Sequence, residues 1–263
     1  MNKIENNHDL IIVLGTIPSI DNQELCDTLL AKAQNGSDIV LFSTMEDRKL
    51  NNHLKLFCKY EVSSEEGLLA IFSKYLLQES SLPQELSAYF DALDEGYLSA
   101  ETNIGEEEFE EVAELYNTSK SPLFIIGEDL VSHPRVENIK IFLSILDKFT
   151  KATLVSLAQE SILGEIKTLQ EIEELQSFDG TVVMESKALD SDQTNLLIGS
   201  AQFAVAAKSQ NNQEVVVSFG DTVQNRKFVV DEELKGTIAL MPVMKAHSSY
   251  RYKVAKITKR EVQ

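Results

Sequence analysis

Leu10-Ile11-Ile12-Val13-Leu14-Gly15 is a wholly apolar run that stops at a glycine. A run of this length bounded by turn residues reads as a strand buried on both faces. Residues 23–34 follow with helical spacing and close near Gly36, a residue suited to ending a helix. Asp38-Ile39-Val40-Leu41-Phe42 is a second buried strand. Two such strands with a helix between them form a βαβ unit, which lays them side by side and parallel.

The same alternation continues outward. Residues 67–77 place Leu68, Leu69, Ile71, Phe72, Tyr75 and Leu76 on one helical face. Ser63 or Ser64, followed by Glu65 and Glu66, supplies a capped start for that helix. Pro83 opens a further helix over 84–93. Asp94-Glu95-Gly96-Tyr97 and Asn103-Ile104-Gly105 read as turns. Residues 106–116 are an acidic helix whose Phe109, Val112, Ala113 and Tyr116 share a face. Leu123-Phe124-Ile125-Ile126-Gly127 is a third strand, residues 136–149 a helix, and Ala152-Thr153-Leu154-Val155-Ser156-Leu157 a fourth strand.

The expected fold class is therefore α/β, a mostly parallel sheet flanked by helices over residues 8–160. Residues 161–242 are less regular, a smaller mixed region or a completion of the sheet. In them 165–175 and 202–208 read as helices, and Thr181-Val182-Val183-Met184, 195–198, Val215-Val216-Val217-Ser218-Phe219 and Thr237-Ile238-Ala239-Leu240 as strands. Residues 243–263 form a basic C-terminal tail with Lys245, Arg251, Lys253, Lys256, Lys259 and Arg260 against Glu261.

Composition narrows the function. The 263 residues are 43% hydrophobic, enough for a sizeable core, and the formal net charge is −18. That charge opposes unaided binding to nucleic acid or to an anionic membrane surface. No apolar stretch approaches the roughly 18 residues that cross a bilayer, and the polar start is unlike a signal peptide. The two cysteines, Cys26 and Cys58, are far apart in sequence and suit a reduced, cytoplasmic compartment as small core residues. An iron–sulfur cluster needs more thiolates, closely organised. The charge is also uneven: residues 75–119 hold no Lys or Arg. Their densest acidic part, Glu106, Glu107, Glu108, Glu110, Glu111 and Glu114, is either a solvated helix face or a docking surface.

Candidate chemistry gathers where strands end. In a parallel sheet the loops after the strands lie at the ligand-binding edge, which singles out Gly15, Gly127, Glu128 and Asp129 as candidate cofactor-binding residues. Neither Gly15-Thr16-Ile17-Pro18 nor Gly127-Glu128-Asp129-Leu130 has the glycine spacing of a dinucleotide-binding turn, and no phosphate-loop motif is present. Asp129 reads equally as the cap of the following turn. His133 is a candidate general base beside Glu128 and Asp129, without a nucleophile at any recognisable spacing. One histidine is too little for zinc, and Asn52-His53 is isolated, so no metal and no catalytic residue is assigned. Tyr97, Phe90 and Tyr116 read as core or rim aromatics.

These stretches carry a resemblance. Met45-Glu46-Asp47, Lys59-Tyr60-Glu61-Val62-Ser63-Ser64-Glu65-Glu66-Gly67-Leu68-Leu69-Ala70, Leu93-Asp94-Glu95-Gly96-Tyr97-Leu98-Ser99-Ala100-Glu101 and Asn103-Ile104-Gly105-Glu106-Glu107 occur in that order. Ile126-Gly127-Glu128-Asp129-Leu130, His133-Pro134-Arg135 and Glu137-Asn138-Ile139 follow. Together they resemble the molybdopterin-oxidoreductase-like portion of the large iron–sulfur subunit of bacterial proton-pumping NADH:quinone oxidoreductase, respiratory complex I. The likeness spans residues 38–150 and is traceable toward Asn225-Arg226-Lys227. It implies a structural or accessory subunit of the peripheral arm, cytoplasmic and held at the inner face of the membrane through the complex. The implied partners are other peripheral-arm subunits, with a soluble electron carrier as a further one. The ferredoxin-like domains and the cluster-ligating cysteines of that large subunit have no counterpart here, so the resemblance brings no cofactor and no activity to the chain alone. The alternatives are a small-molecule-binding α/β protein, for a nucleotide or pterin-like ligand, and a docking subunit for the carrier.

Overall fold

The computed structural model describes residue 4 and residues 7–78, 81–158, 161–175, 178, 180–244 and 249–260. The chain divides into two compact units, Met1–Gln176 and Ser177–Gln263.

The first unit is built on five parallel strands: β1 (Leu10–Leu14), β2 (Asp38–Ser43), β3 (Leu56–Lys59), β4 (Pro122–Ile126) and β5 (Thr153–Ser156). Their order across the sheet is β3-β2-β1-β4-β5. β1 is central and every one of its residues is buried, as a strand covered on both faces requires. Its alternation divides the core. Leu10, Ile12 and Leu14 join Phe42, Phe72, Phe124 and Phe142 on one side, and Ile11 and Val13 join Leu25, Cys26 and Leu29 on the other.

The second of these faces is covered by α2 (Gln23–Gln34), which follows the four-residue α1 (Pro18–Asp21). Asn22 caps α2 by accepting the Leu25 N–H, and the helix gives way to Gly36 at φ +92°, the left-handed geometry that favours glycine. The first face carries α3 (Glu65–Leu76), α4 (Gln84–Asp91), α5 (Glu95–Thr102), α6 (Glu106–Thr118), the short α7 (Glu128–Ser132) and α8 (Val136–Phe149). Phe72 of α3 is the centre of this layer, with ring centroids 5.6 Å from Phe42 and 5.5 Å from Phe124.

The second unit is a mixed sheet of β6 (Val182–Lys187), β7 (Leu196–Gly199), β8 (Glu214–Phe219), β9 (Thr222–Val230), β10 (Ile238–Val243), β11 (Tyr252–Val254) and β12 (Lys256–Lys259), with the α-helix α9 (Ala201–Ala206) beside it. The strand order is β11-β6-β10-β7-β9-β8-β12. The two outermost strands are one continuous piece of chain separated only by Ala255, pairing with β6 through Tyr252–Val254 and with β8 through Lys256–Lys259. One stretch thus joins both edges, and the sheet closes into a barrel. Closure removes the unpaired edges that an open sheet exposes. Val183, Val215, Val217, Phe228, Ala239 and Met241 fill the core, with Phe203 of α9 packed against Phe228.

The molecule is therefore α/β with mixed parallel and antiparallel sheets and flanking helices, the purely parallel part being confined to the first unit. Five expectations change. Residues 161–175 form neither helix nor strand and belong to the first unit, so the boundary falls later than 160. Their apolar residues Ile166, Leu169, Ile172 and Leu175 recur every third position, a spacing that serves a three-residue extended turn as well as a helix. Residues 94–97 begin α5, with Asp94 accepting the Tyr97 N–H as its cap. The basic stretch after residue 243 is not a free tail, since residues 252–259 close the barrel; Lys245 and Glu261 lie outside the described residues. β3 and β9 also lacked a strand-like reading, β3 because it is a four-residue edge strand with only Cys58 fully buried, and β9 because its inward position 226 is arginine. Arg226, buried, donates to the carbonyls of Thr194 and of Pro242, the latter at 2.9 Å, which satisfies the group in the barrel wall.

Candidate functional site

The strand order of the first unit reverses between β1 and β4. In open α/β sheets the crevice at that reversal, beyond the carboxyl ends of the strands, is where ligands bind. Gly15 and Gly127 end these two strands and lie against each other. Gly15, at φ +71°, gives its N–H to Phe42 O at 3.2 Å, and Gly127 gives its own to Leu14 O at 2.7 Å. The Asp129 N–H then reaches Gly15 O at 3.1 Å. A Cβ at Gly127 would stand 2.1 Å from Gly15 O and 2.6 Å from Thr16 Cβ; one at Gly15 would stand 1.9 Å from Leu130 Cδ1. The two glycines are thus what lets the turns touch, and the reversal point is filled by the chain's own backbone, Thr16 and Leu130.

The loops beside it are pinned by carboxylates. Asp21 accepts from Thr16 Oγ1 and the Ile17 N–H, each at 2.8 Å. The fully buried Asp47 accepts from the N–H groups of Ser19, Lys49 and Leu50 at 2.7, 3.0 and 3.1 Å. Of the four candidate residues, Gly15, Gly127 and Asp129 are buried together, whereas Glu128 faces solvent.

His133 is buried, and the carboxylate it approaches is that of Glu65, across at the start of α3. Its Nδ1 accepts the Arg135 N–H at 3.0 Å, which leaves the ring proton on Nε2. Nε2 lies 3.3 Å from Ser63 O and 3.5 Å from Glu65 Oε2. Burial pushes its pKa down to about 4, with the Ser63 bond opposing and Arg135 assisting. The ring is thus neutral and packed away from water, which suits a structural pin better than a general base.

Beside it lies a polar network that sequence reasoning missed, since Glu66 read as an ordinary first-turn acid. Glu66 is buried, accepting from Arg135 Nε at 3.0 Å and Asn138 Nδ2 at 2.6 Å. The spacing of His133, Arg135 and Asn138 across a Pro-containing turn was visible, but nothing local revealed their partners on α3.

The acidic helix α6 buries Phe109, Val112, Ala113 and Tyr116. It turns Glu106, Glu107, Glu110, Glu111 and Glu114 to solvent, with Glu108 half-buried. Among the described residues, none of these six carboxylates has an ion-pair partner. Cys26 and Cys58 are both free and buried, on opposite faces of the sheet. Burial, with Asp47 adding to it, raises the Cys26 thiol to about 11; burial, with Glu108 and Glu111, raises Cys58 to about 12. No group of three or more His, Cys, Asp or Glu side chains among the described residues is arranged to hold a metal ion. A cleft of about 660 Å³ sits at the opposite, amino-terminal edge of the sheet, lined in part by His8, Asp9, Lys32 and Lys120. No described helix is long and apolar enough to cross a membrane.

Fold and site together define a two-unit α/β protein, a parallel sheet with a filled reversal point and a closed mixed barrel. No protein-family model matches the sequence, and no curated protein matches it significantly. Solved structures do match. One is acetylene hydratase from Pelobacter acetylenicus, 10% identical, with a TM-score of 0.39 over 45% of this chain. The match spans only 18% of that enzyme.

Proposed function

We propose that this chain is a protein-docking component of an electron-transfer assembly, and that α6 is the face it presents. One observation carries the reading: the exposed glutamates of α6 have no ion-pair partner among the described residues. Glu106 and Glu110, Glu107 and Glu111, and Glu110 and Glu114 stand at i,i+4, where like charges repel. The helix dipole compensates acids in the first turn, but Glu110, Glu111 and Glu114 lie beyond it. A basic partner surface would relieve that repulsion and be steered to it.

The electron-transfer setting is supported by the ordered segments that resemble the large iron–sulfur subunit of proton-pumping NADH:quinone oxidoreductase. In that setting the chain is an accessory component of the peripheral arm, on the cytoplasmic side, beside cluster-bearing subunits or a soluble electron carrier. The cysteines do not fit a cluster of its own, since two buried thiols on opposite sheet faces cannot share an iron site. Purification from the native cells at low salt, with iron and flavin assays, tests the reading. Iron–sulfur subunits should co-purify, and they should be lost when Glu107, Glu110, Glu111 and Glu114 are changed to Lys. A chain recovered only as a free monomer, whatever the salt, would overturn it.

A second reading rests on the side-by-side placement of Gly15 and Gly127 at the strand-order reversal. A nucleotide or pterin-like ligand there would have to displace Leu130 or Thr16. Native mass spectrometry of gently purified protein, with candidate ligands at saturating supply, separates the two: a stoichiometric adduct supports this reading, and bare protein rejects it.

A further inference from the structure

Residues 161–175 cross the helical face of the first unit in an unusual way. Ile162 and Leu169 are buried, and Ile166, Ile172 and Leu175 pack half-buried against the same core. Yet among the described residues the segment makes no backbone-to-backbone hydrogen bond. Its main chain is held by side chains instead.

Asn138 makes a two-point pairing with Gln170, accepting its N–H at 2.9 Å and donating to its carbonyl at 3.3 Å. Tyr89 Oη donates to the same carbonyl at 3.0 Å. Arg135 donates to Glu171 O at 3.0 Å and to the Glu173 carboxylate at 2.8 Å. The Leu175 N–H reaches Tyr97 Oη at 3.3 Å, and the Gly164 N–H reaches Ser144 Oγ at 2.9 Å. Glu66, buried behind them, fixes Arg135 and Asn138. Gly67 keeps the floor low, since a Cβ there would stand 3.1 Å from Leu175 Cδ1.

Side-chain amides, hydroxyls and a guanidinium aimed at main-chain groups, with apolar contacts at every third residue from Ile166 to Leu175, are the features of a surface that receives an extended peptide. A segment without ladder bonds also opens more readily than the elements beneath it, because no neighbouring strand or helical turn holds it. We propose that residues 161–175 are a detachable strap, an autoinhibitory segment that keeps an extended-peptide groove on the first unit filled. The inference is independent of the docking role of α6.

Hydrogen exchange on the full chain tests it. The Gly164, Gln170 and Leu175 amides should exchange together and at least about tenfold faster than those of β1. Tyr89→Phe, which removes one hydroxyl, should speed all three by up to about tenfold and leave β1 unchanged. Exchange of the strap at the rate of β1, or an effect confined to Gln170, overturns the proposal. A labelled synthetic peptide of residues 161–175 supplies the second measurement. It should bind full-length Leu169→Ser/Ile172→Ser protein at least about tenfold more tightly than wild type, as expected once the competing strap loses two apolar anchors. Equal affinities overturn autoinhibition. Should that double variant not fold, the single Ile172→Ser protein, which weakens the strap and leaves the groove unchanged, is compared with wild type in its place, with the same two outcomes.

Discussion

The guanidinium of Arg135 meets the Glu66 carboxylate at 3.0 Å, and the two are unequal in exposure: Glu66 is 1% exposed, Arg135 23%. The carboxylate is the member that depends on the pair. Removing its partner leaves a buried charge to which, among the described residues, only Asn138 still donates. Arg135→Ala should therefore cost about 3 kcal/mol, the lower end of the range for breaking a buried pair. Glu173→Ala removes the exposed arm of the same network and should cost less than about 1 kcal/mol. Urea unfolding midpoints of the two variants provide the comparison, and equal losses would contradict this division.

Gly127→Ala tests whether the strand-order reversal is filled. Gly127 has an ordinary φ of −84°, so the cost comes from the Cβ meeting Gly15 O rather than from backbone conformation. Overpacking of this kind costs about 1–3 kcal/mol. Thermal melting should show the loss. Wild-type stability in this variant would mean that the two turns can part, and would favour a ligand there.

His133 sets a pH dependence. Its folded pKa, about 4, lies below the unfolded value of 6.5. The unfolded chain binds the extra proton, so the stabilisation is complete above pH 6.5 and is lost as pH falls toward 4, by up to about 3 kcal/mol. Asp9 acts lower. Partial burial raises its pKa, but bonds from Ser119 and from the N–H groups of Lys120 and Ser121 outweigh that and bring it to about 2 from 3.8. Its contribution is present above 3.8 and disappears as pH falls to about 2. Unfolding curves from pH 7 to pH 4 should flatten in His133→Gln and keep their slope in Asp9→Asn.

The charges of α6 should destabilise the isolated protein. Glu107→Gln/Glu110→Gln/Glu111→Gln/Glu114→Gln removes three i,i+4 repulsions and should raise stability by about 1 kcal/mol at low ionic strength. Salt screens exposed charges, so the gain should shrink toward zero at about 1 M. Melting temperatures at the two ionic strengths decide the matter; a destabilised variant would show that the glutamates serve the fold.

Local pattern carried the first unit well. The all-buried run Leu10–Leu14 and its partner strands read correctly because a strand covered on both faces must be apolar at every position. The α6 stripe read correctly for the matching helical reason. Pattern failed where one residue broke a period. Arg226 hid β9, whose neighbours still alternate inward and outward. The three-residue spacing of 166, 169, 172 and 175 imitated a helix in a segment that has none. The candidate site was legible only in part: Gly15, Gly127 and Asp129 do converge, while the Glu66 network and the true neighbour of His133 were invisible.

By itself, the sequence determined that a parallel α/β unit exists, where four of its five strands lie, and that one helix carries a dense acidic face. Those properties follow from periodicity and burial, which each segment encodes locally. Only the tertiary structure decided that Cys26 and Cys58 lie on opposite faces of one sheet, that Gly15 and Gly127 fill the crevice between β1 and β4, and that residues 252–259 close a barrel. Each of these is a contact between residues far apart in the chain, and the pairing of strands, rather than any local preference, brings them together.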